Sequence, residues 1–195
     1  MNTTRPTVST LIPALALLAG LAAPAAFAQQ KIVPAQSEIG FTSKQMGVPV
    51  DGTFKKFDAQ IAFDPKKPES AKIAFAIDLG SATLGSPETE AELMKPEWFG
   101  TKLFPQATFQ STSVKASGAG KFDVAGKLTI KGASQDVVVP VTLAQGSGGA
   151  ATANGTFTIK RLAFKIGDGD WKDTSMVADD VLVKFKLTLT GMPAL

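Results

Sequence analysis

The sequence predicts an all-β fold: an antiparallel barrel of about eight strands interrupted by one short helical insertion. Three observations carry that expectation. Apolar residues recur with period two from Lys31 onward, the spacing of strands with one face on a core and the other in water. Gly, Asp, Asn and Ser clusters punctuate the apolar runs, as short turns require. The chain has no Cys, so a packed core must replace any disulfide framework.

Taken in order, the first 28 residues stand apart. Arg5 precedes an apolar stretch from Leu11 to Ala23, and Ala26-Phe27-Ala28 follows with small-x-small spacing. This is the pattern of a cleaved secretory signal peptide over residues 1–28. The apolar stretch is too short for the roughly 20 residues of a membrane span. Residues 29–195 then form one domain. Ile61 and Phe63 start the alternation, and Ile73, Phe75, Ile77 and Leu79 continue it. Phe122 and Val124, Leu128 and Ile130, Val137 to Leu143, and Phe157 and Ile159 extend it. Val181, Val183, Phe185, Leu187 and Leu189 make the clearest strand, with Lys184, Lys186, Thr188 and Thr190 opposite. Turns are expected at Asp51-Gly52, Asp64-Pro65, Ser117–Gly120, Lys131-Gly132, Gly146–Gly149 and Asn154-Gly155. A sandwich would satisfy the same pattern. The long last strand favours a barrel, because closure removes exposed edges. One segment departs from period two. Ser86 is a plausible N-cap, Pro87 suits the first helical position, acids fill the first turn and Pro96 stops the helix. Pro96 to Phe99 reads as a second short helical turn.

The chain has no His and no Tyr either. That excludes a Ser-His-Asp triad, a Cys-His pair and a thiolate nucleophile, and metal sites built on imidazole or thiolate. Gly120 to Gly126-Lys127 has the wrong spacing for a phosphate-binding loop and no helix after it. The acidic run from Asp168 to Asp173 places Lys172 and Asp173 where a calcium loop needs an oxygen ligand and a Gly; a solvated turn explains it better. Glu88, Glu90 and Glu92 fit a helix N-terminus rather than an acid–base pair. The Lys residues are scattered and the net charge is only +3, which argues against nucleic acid as a partner.

Two features remain. The chain has 13 Phe, all but Phe27 after the leader and most in expected strands. They either fill a core or line an apolar cavity, since a small barrel has room for side chains or for one ligand. The expected lining is Phe41, Phe54, Phe63, Phe75, Phe109, Phe122, Phe157 and Phe185, with Trp98 and Phe99 near the cavity mouth. Arg161, the only Arg after the leader, is either a contact for a polar head group or an ion pair tying a strand end.

Several blocks together resemble the YceI-like family. They are Ser37–Phe41, Val50–Phe57 with Ile61–Pro65, Leu93–Phe99, Phe104–Ser111, Gly126–Gly132, Ile159–Arg161 and Asp180-Val181. Their order and spacing carry the likeness over nearly the whole chain after the leader. The resemblance implies a lipocalin-like barrel in the bacterial periplasm that binds a polyisoprenoid or similar amphiphilic lipid. It also implies links with isoprenoid-quinone transport or storage and with envelope stress response. This chain has Glu92 where relatives often carry His, and Ala163-Phe164-Lys165 where they often carry an acid and a Gly. Head-group contacts are therefore expected to differ.

The expectation is a non-enzymatic periplasmic carrier with no catalytic residues, no metal and no cofactor other than its lipid. Its partners are an isoprenoid lipid or quinone, at most transiently a membrane, and at most a second copy in a homodimer. A packed barrel acting as an envelope-stress interaction module is the alternative. An enzyme relying on carboxylates and Lys would need two acids converging in a pocket.

Overall fold

The computed structural model describes Met1 and residues 29–194. The expected leader, Met1 apart, lies outside the described residues. Eleven strands form one sheet. They are β1 (Lys31–Ile32), β2 (Glu38–Gln45), β3 (Val48–Phe54), β4 (Phe57–Ala62), β5 (Lys72–Asp78), β6 (Ala82–Thr83), β7 (Gln106–Gly118), β8 (Lys121–Ile130), β9 (Ala133–Gln145), β10 (Ala151–Lys160) and β11 (Asp180–Thr190). The helix α1 spans Pro87–Leu93.

Hydrogen bonds join the strands in the order β4-β5-β7-β8-β9-β10-β11-β2-β3-β6, with β1 on β11. Each pairing is antiparallel. Only Lys55 and Lys56 separate β3 from β4, so these two strands form a single kinked stave. Its first half pairs with β2 and its second half with β5. The path therefore returns to the stretch of chain on which it began, and the sheet closes. With β3 and β4 counted once, and the two-residue β1 and β6 set aside, eight staves remain, as the alternation predicts. The larger number of segments comes from the kink and from these two short additions.

The kink costs ladder hydrogen bonds, and a neighbouring turn replaces them. Lys55 N–H donates to Ser81 O at 3.1 Å, and Asp78 N–H donates to Lys56 O at 3.0 Å. Lys56 N–H donates to Ser81 Oγ at 3.0 Å. Buried backbone groups need such partners wherever a ladder stops. Gln30 does the same work elsewhere. It is buried, its N–H donates to Ile61 O at 2.9 Å, and its Oε1 accepts from Phe63 N–H at 2.8 Å. Lys31 and Ile32 pair with Thr190 and Leu189. The start of the domain thus bridges β4 and β11.

Two hairpins turn on residues with positive φ at both positions: Met46 (48°) with Gly47 (82°), and Lys131 (48°) with Gly132 (74°). That conformation matches the twist of paired strands. The Lys131-Gly132 turn is where the sequence places it. Two other expected turns are corrected: Asp51-Gly52 lies inside β3 and Asn154-Gly155 inside β10. Their glycines serve packing. Gly52 faces Phe41 across β2–β3, and Gly155 faces Phe185 across β10–β11. A Cβ on Gly52 would fall 2.3 Å from Phe41 Cζ, and one on Gly155 would fall 2.4 Å from Phe185 Cζ. Gly126 in β8 gives Phe109 the same room, at 2.4 Å. Each ring lies folded down against its own wall over a bare stretch of backbone. In a strand, Gly of this kind marks a close approach.

Helix α1 follows its sequence signals. Ser86 Oγ accepts from Thr89 N–H at 3.5 Å, and Pro87 opens the helix. Residues 96–99 form hydrogen-bonded turns rather than the expected second helical turn, with Trp98 N–H on Lys95 O and Phe99 N–H on Leu93 O. The core has two parts. One gathers Ile39, Ile61, Phe63, Phe122, Leu143, Leu187 and Leu189. The other gathers Leu79, Trp98, Phe99, Leu128, Ile130, Phe164 and Ile166. Phe54, Ile77, Phe109, Val137 and Phe157 touch both.

Alanine at Gly155 or Gly126 should cost stability although alanine is ordinarily the better strand residue. The displaced ring is an overpacking strain, expected to lower unfolding free energy by about 1–3 kcal/mol. Urea unfolding of each variant measures it; an unchanged or raised midpoint would show that the rings have other room.

Candidate functional site

The two parts of the core leave a cavity of about 240 Å³ inside the barrel. A water molecule occupies about 30 Å³ of liquid, so this is a binding-scale void rather than a packing defect. Inward-facing residues of β2, β3, β4, β5, β7, β8, β9, β10 and β11 line it, since alternate residues of a closed sheet all point to its axis. The lining is aliphatic and aromatic apart from Ser43, Gln45, Arg161 and the indole of Trp98. It contains no carboxylate and no Lys, so the converging acids that an acid–base site needs do not occur among the lining residues.

All eight Phe expected at the lining are there: Phe41, Phe54, Phe63, Phe75, Phe109, Phe122, Phe157 and Phe185. They divide into two kinds. Phe63 and Phe122 are fully buried and meet edge to face at 5.0 Å, a favourable aromatic geometry. The other six are half-buried, and their inner faces border the void. Phe41 stands 5.5 Å from Phe54, which stands 6.2 Å from Phe99. These rings form a continuous aromatic run along the wall.

Trp98 and Phe99 also line the cavity, but each is only 7% exposed. Both therefore form part of its wall. Their turn is pinned from outside, because Gly167 N–H and Asp168 N–H both donate to Glu97 O, at 2.8 and 3.0 Å. Trp98 also packs on Trp171 at 5.3 Å. Among the described residues, Trp98 Nε1 is the buried side-chain nitrogen or oxygen without a hydrogen-bond partner.

Arg161 corrects both readings of it. It is 1% exposed, and all its N–H groups are spent on backbone carbonyls. Nε donates to Ala178 O at 3.1 Å, Nη1 to Ile166 O and Gly167 O at 2.8 and 3.1 Å, and Nη2 to Trp171 O and Val177 O at 2.6 and 2.8 Å. No donor remains for a head group, and the ties are to carbonyls rather than to a carboxylate. Burial pushes its pKa down, and Asp179 opposes that shift. Arg161 thus gathers residues 166–178 over the barrel end and brings a buried positive charge to the cavity wall. A Cβ on Gly167 would lie 2.2 Å from Arg161 Nη1 and 3.4 Å from Trp98 Cζ3. Guanidinium and indole therefore meet at that glycine.

Leu84 and Leu93 line the cavity from the α1 side. Glu90 holds the helix there, accepting from Thr83 Oγ1, Leu84 N–H at 2.9 Å and Gly85 N–H at 3.2 Å. The Thr83 hydroxyl, then the Leu84 amide, hold its carboxyl below the usual range. Glu92 pairs with Lys95 and takes no part in the lining. The sequence reading did not single out the aliphatic lining, such as Ile39, Ile73, Leu128 and Leu187, nor Ser43 and Gln45. The aliphatics lie in the same period-two stripes as the Phe residues and were recoverable from them. The free indole N–H left no trace in the sequence.

The model of the YceI-like domain matches residues 30–189. Among curated proteins, a UPF0312 protein of Ectopseudomonas mendocina is 32% identical over 59% of this chain and 63% of its own length. A protein YceI of Salmonella arizonae is 41% identical over 47% of this chain and 46% of its own. The matched region thus spans about half to just under two thirds of these relatives. Among solved structures, Burkholderia cenocepacia BcnA superposes with a TM-score of 0.78 at 46% identity, covering 81% of this chain and 99% of that one. A polyisoprenoid binding domain from Saccharophagus degradans shares the fold, with a TM-score of 0.67 at 16% identity over 83% of this chain and 97% of that one.

Two outcomes follow from this geometry. Arg161→Lys should lower unfolding free energy by about 3 kcal/mol or more, because a point charge cannot serve the fork of carbonyls that the guanidinium serves; the shift in denaturation midpoint measures it. Glu90 has a lowered pKa in the folded protein, so its contribution is present above the ordinary glutamate value and is lost as pH falls through the depressed one. The stability difference between wild type and Glu90→Gln should therefore shrink on acidification across that window, and a difference independent of pH would contradict the anchoring role.

Proposed function

The chain belongs to the YceI-like family, and we propose that its barrel is a carrier that sequesters the chain of a polyisoprenoid or similar amphiphilic lipid. The observation that supports this best is the nearly uniformly apolar cavity inside the barrel. The Saccharophagus degradans neighbour is described as a polyisoprenoid binding domain, which agrees with a prenyl chain as the occupant. Apolar burial supplies the affinity, at about 0.8 kcal/mol for each methylene taken from water before association costs are subtracted. The half-buried rings of Phe75, Phe109, Phe157 and Phe185 would contact the chain, whose isolated methyl-bearing double bonds present flat surfaces to them. Function here is binding rather than catalysis. The alternative, a packed barrel acting as an interaction module, sits poorly with a void of this size.

The signal-peptide pattern of residues 1–28 supports export, and we place the carrier in the periplasm. In that role it would hold an isoprenoid lipid such as a quinone in an aqueous compartment and touch membranes only transiently to load or deliver it, as a monomer or homodimer. Native mass spectrometry of protein purified without added lipid tests the central point. The expected result is a species heavier than the mature chain by the mass of one prenyl lipid, or one that takes up a prenyl quinone at equal stoichiometry. Lipid-free protein that takes up none would overturn it.

A further inference from the structure

The cavity lining is buried at the Phe63–Phe122 end, but Gln45, Val50, Leu84 and Leu93 in the lining are only half-buried. Gln45 and Val50 flank the β2–β3 turn at the opposite end. Gln45 bridges Val177, and Met46 N–H donates to Met176 O at 2.8 Å, which ties this turn to the segment that Arg161 gathers. Along β3, Phe54, Gly52, Val50 and Val48 share the inward face. Phe54 and Val50 line the cavity, whereas Val48 is exposed. β6 pairs with β3 only at Thr53 and Phe54, so among the described residues no strand covers the rest of that edge. The apolar inner wall of the barrel thus runs out into solvent along this hairpin. Other exposed apolar side chains collect at the same end. Met1 apart, five of the seven large apolar side chains exposed among the described residues lie there: Met46, Val48, Leu103, Trp171 and Met176. Leu103 is placed there by its neighbour Phe104, which packs at Gly132 of the β8–β9 turn, while Lys131 of that turn donates to Lys165 O at 2.7 Å. The other two, Val138 and Leu182, lie on the outer wall. The loops of the opposite end, residues 63–71, 119–120 and 146–150, expose none. Met46 is the sharpest case. It is 72% exposed with a φ of 48°, a left-handed turn position that favours Asn, Asp or Gly. An exposed Met there departs from turn chemistry and from the polarity of an ordinary surface at once, and such departures concentrate at functional sites. Lys44 and Lys102 stand within two residues of Met46 and Leu103. Both are exposed, and neither takes part in an ion pair among the described residues.

Resting on the carrier reading above, we propose that this end of the barrel docks on a phospholipid bilayer. Met46, Val48, Leu103 and Trp171 enter the boundary between head groups and acyl chains, and the β2–β3 hairpin is the ramp between bilayer and cavity. Apolar side chains with Lys beside them are the composition of an interfacial membrane contact, and Trp in particular favours the membrane–water boundary. Charge complementarity selects the bilayer over a protein partner. Lys44 and Lys102 match lipid phosphates, whereas Lys is depleted from protein–protein interfaces. Glu97, Asp168, Asp170 and Asp173 belong to the same end, so net charge supplies little and apolar insertion carries the contact.

Co-sedimentation with vesicles of phosphatidylethanolamine and a minor share of phosphatidylglycerol tests this. The wild type should bind, and Met46→Asp and Leu103→Asp should each weaken binding about tenfold, as loss of one inserted apolar side chain predicts. Val138→Asp and Leu182→Asp, on the outer wall, should leave it unchanged. Met46→Asn separates docking from folding, because Asn suits the left-handed turn: vesicle binding should fall while the urea midpoint holds or rises. Equal weakening by the outer-wall variants would refute this face as the docking surface. Wild-type protein that takes up a prenyl lipid in native mass spectrometry but does not bind vesicles would overturn docking and leave the carrier reading standing, with a protein partner at this end in its place. Vesicle binding that depends on Met46 and Leu103, in protein that takes up no prenyl lipid, would support the docking surface and overturn the carrier reading.

Discussion

A closed sheet encloses a volume that its strand number and tilt fix, and side chains must either fill that volume or leave part of it open. This chain leaves it open. Phenyl rings on these strands could fill the axis, but Phe41, Phe109 and Phe185 fold back over Gly52, Gly126 and Gly155. Each pairing of a large residue with a bare one moves aromatic volume from the axis to the wall. The cavity is therefore built into the sheet and does not depend on a loop moving aside. Closure is the condition for all of it. The kink at Lys55 and Lys56 lets one stave pair on both sides, and the turn at Leu79–Ser81 supplies the hydrogen bonds the kink gives up.

The two ends of the barrel are held by different chemistry. At one, Gln30 and the Phe63–Phe122 pair close the space with a few buried hydrogen bonds and dense apolar packing. At the other, Arg161 uses a single planar cation to collect carbonyls from a long irregular segment. Irregular backbone cannot satisfy itself as a ladder does, and a five-donor fork is an efficient substitute. The arrangement leaves net positive charge next to Trp98 in an otherwise oily space.

Much of this was legible in the sequence because strands report themselves. The stripe from Val181 to Leu189 points inward over its whole length, and the Phe residues that alternate with polar neighbours do line the void. Ser86, Pro87 and Pro96 delimit α1 through local chemistry alone. What was hidden involves groups far apart in sequence. Asp51-Gly52 and Asn154-Gly155 look like turns, because the reason for Gly at each is a ring on the facing strand. Met46-Gly47 is a turn that carries little of the usual composition. Arg161 could be singled out as unusual, but nothing in sequence says that its partners are carbonyls contributed by residues 166–178. The kinked stave and the buried, unpaired indole likewise exist only once the sheet has closed.

The account turns on a lipid occupying the interior of the barrel, and methyl-resolved spectroscopy locates it most directly. With Ile, Leu and Val methyls labelled, addition of a short-chain prenylated benzoquinone should shift the signals of Ile73, Leu128, Val141 and Leu187, which line the cavity. Those of Val138 and Leu182, exposed on the outer face, should stay where they are. Shifts confined to Val138, Leu182 and other outer positions, with the lining methyls silent, would contradict it.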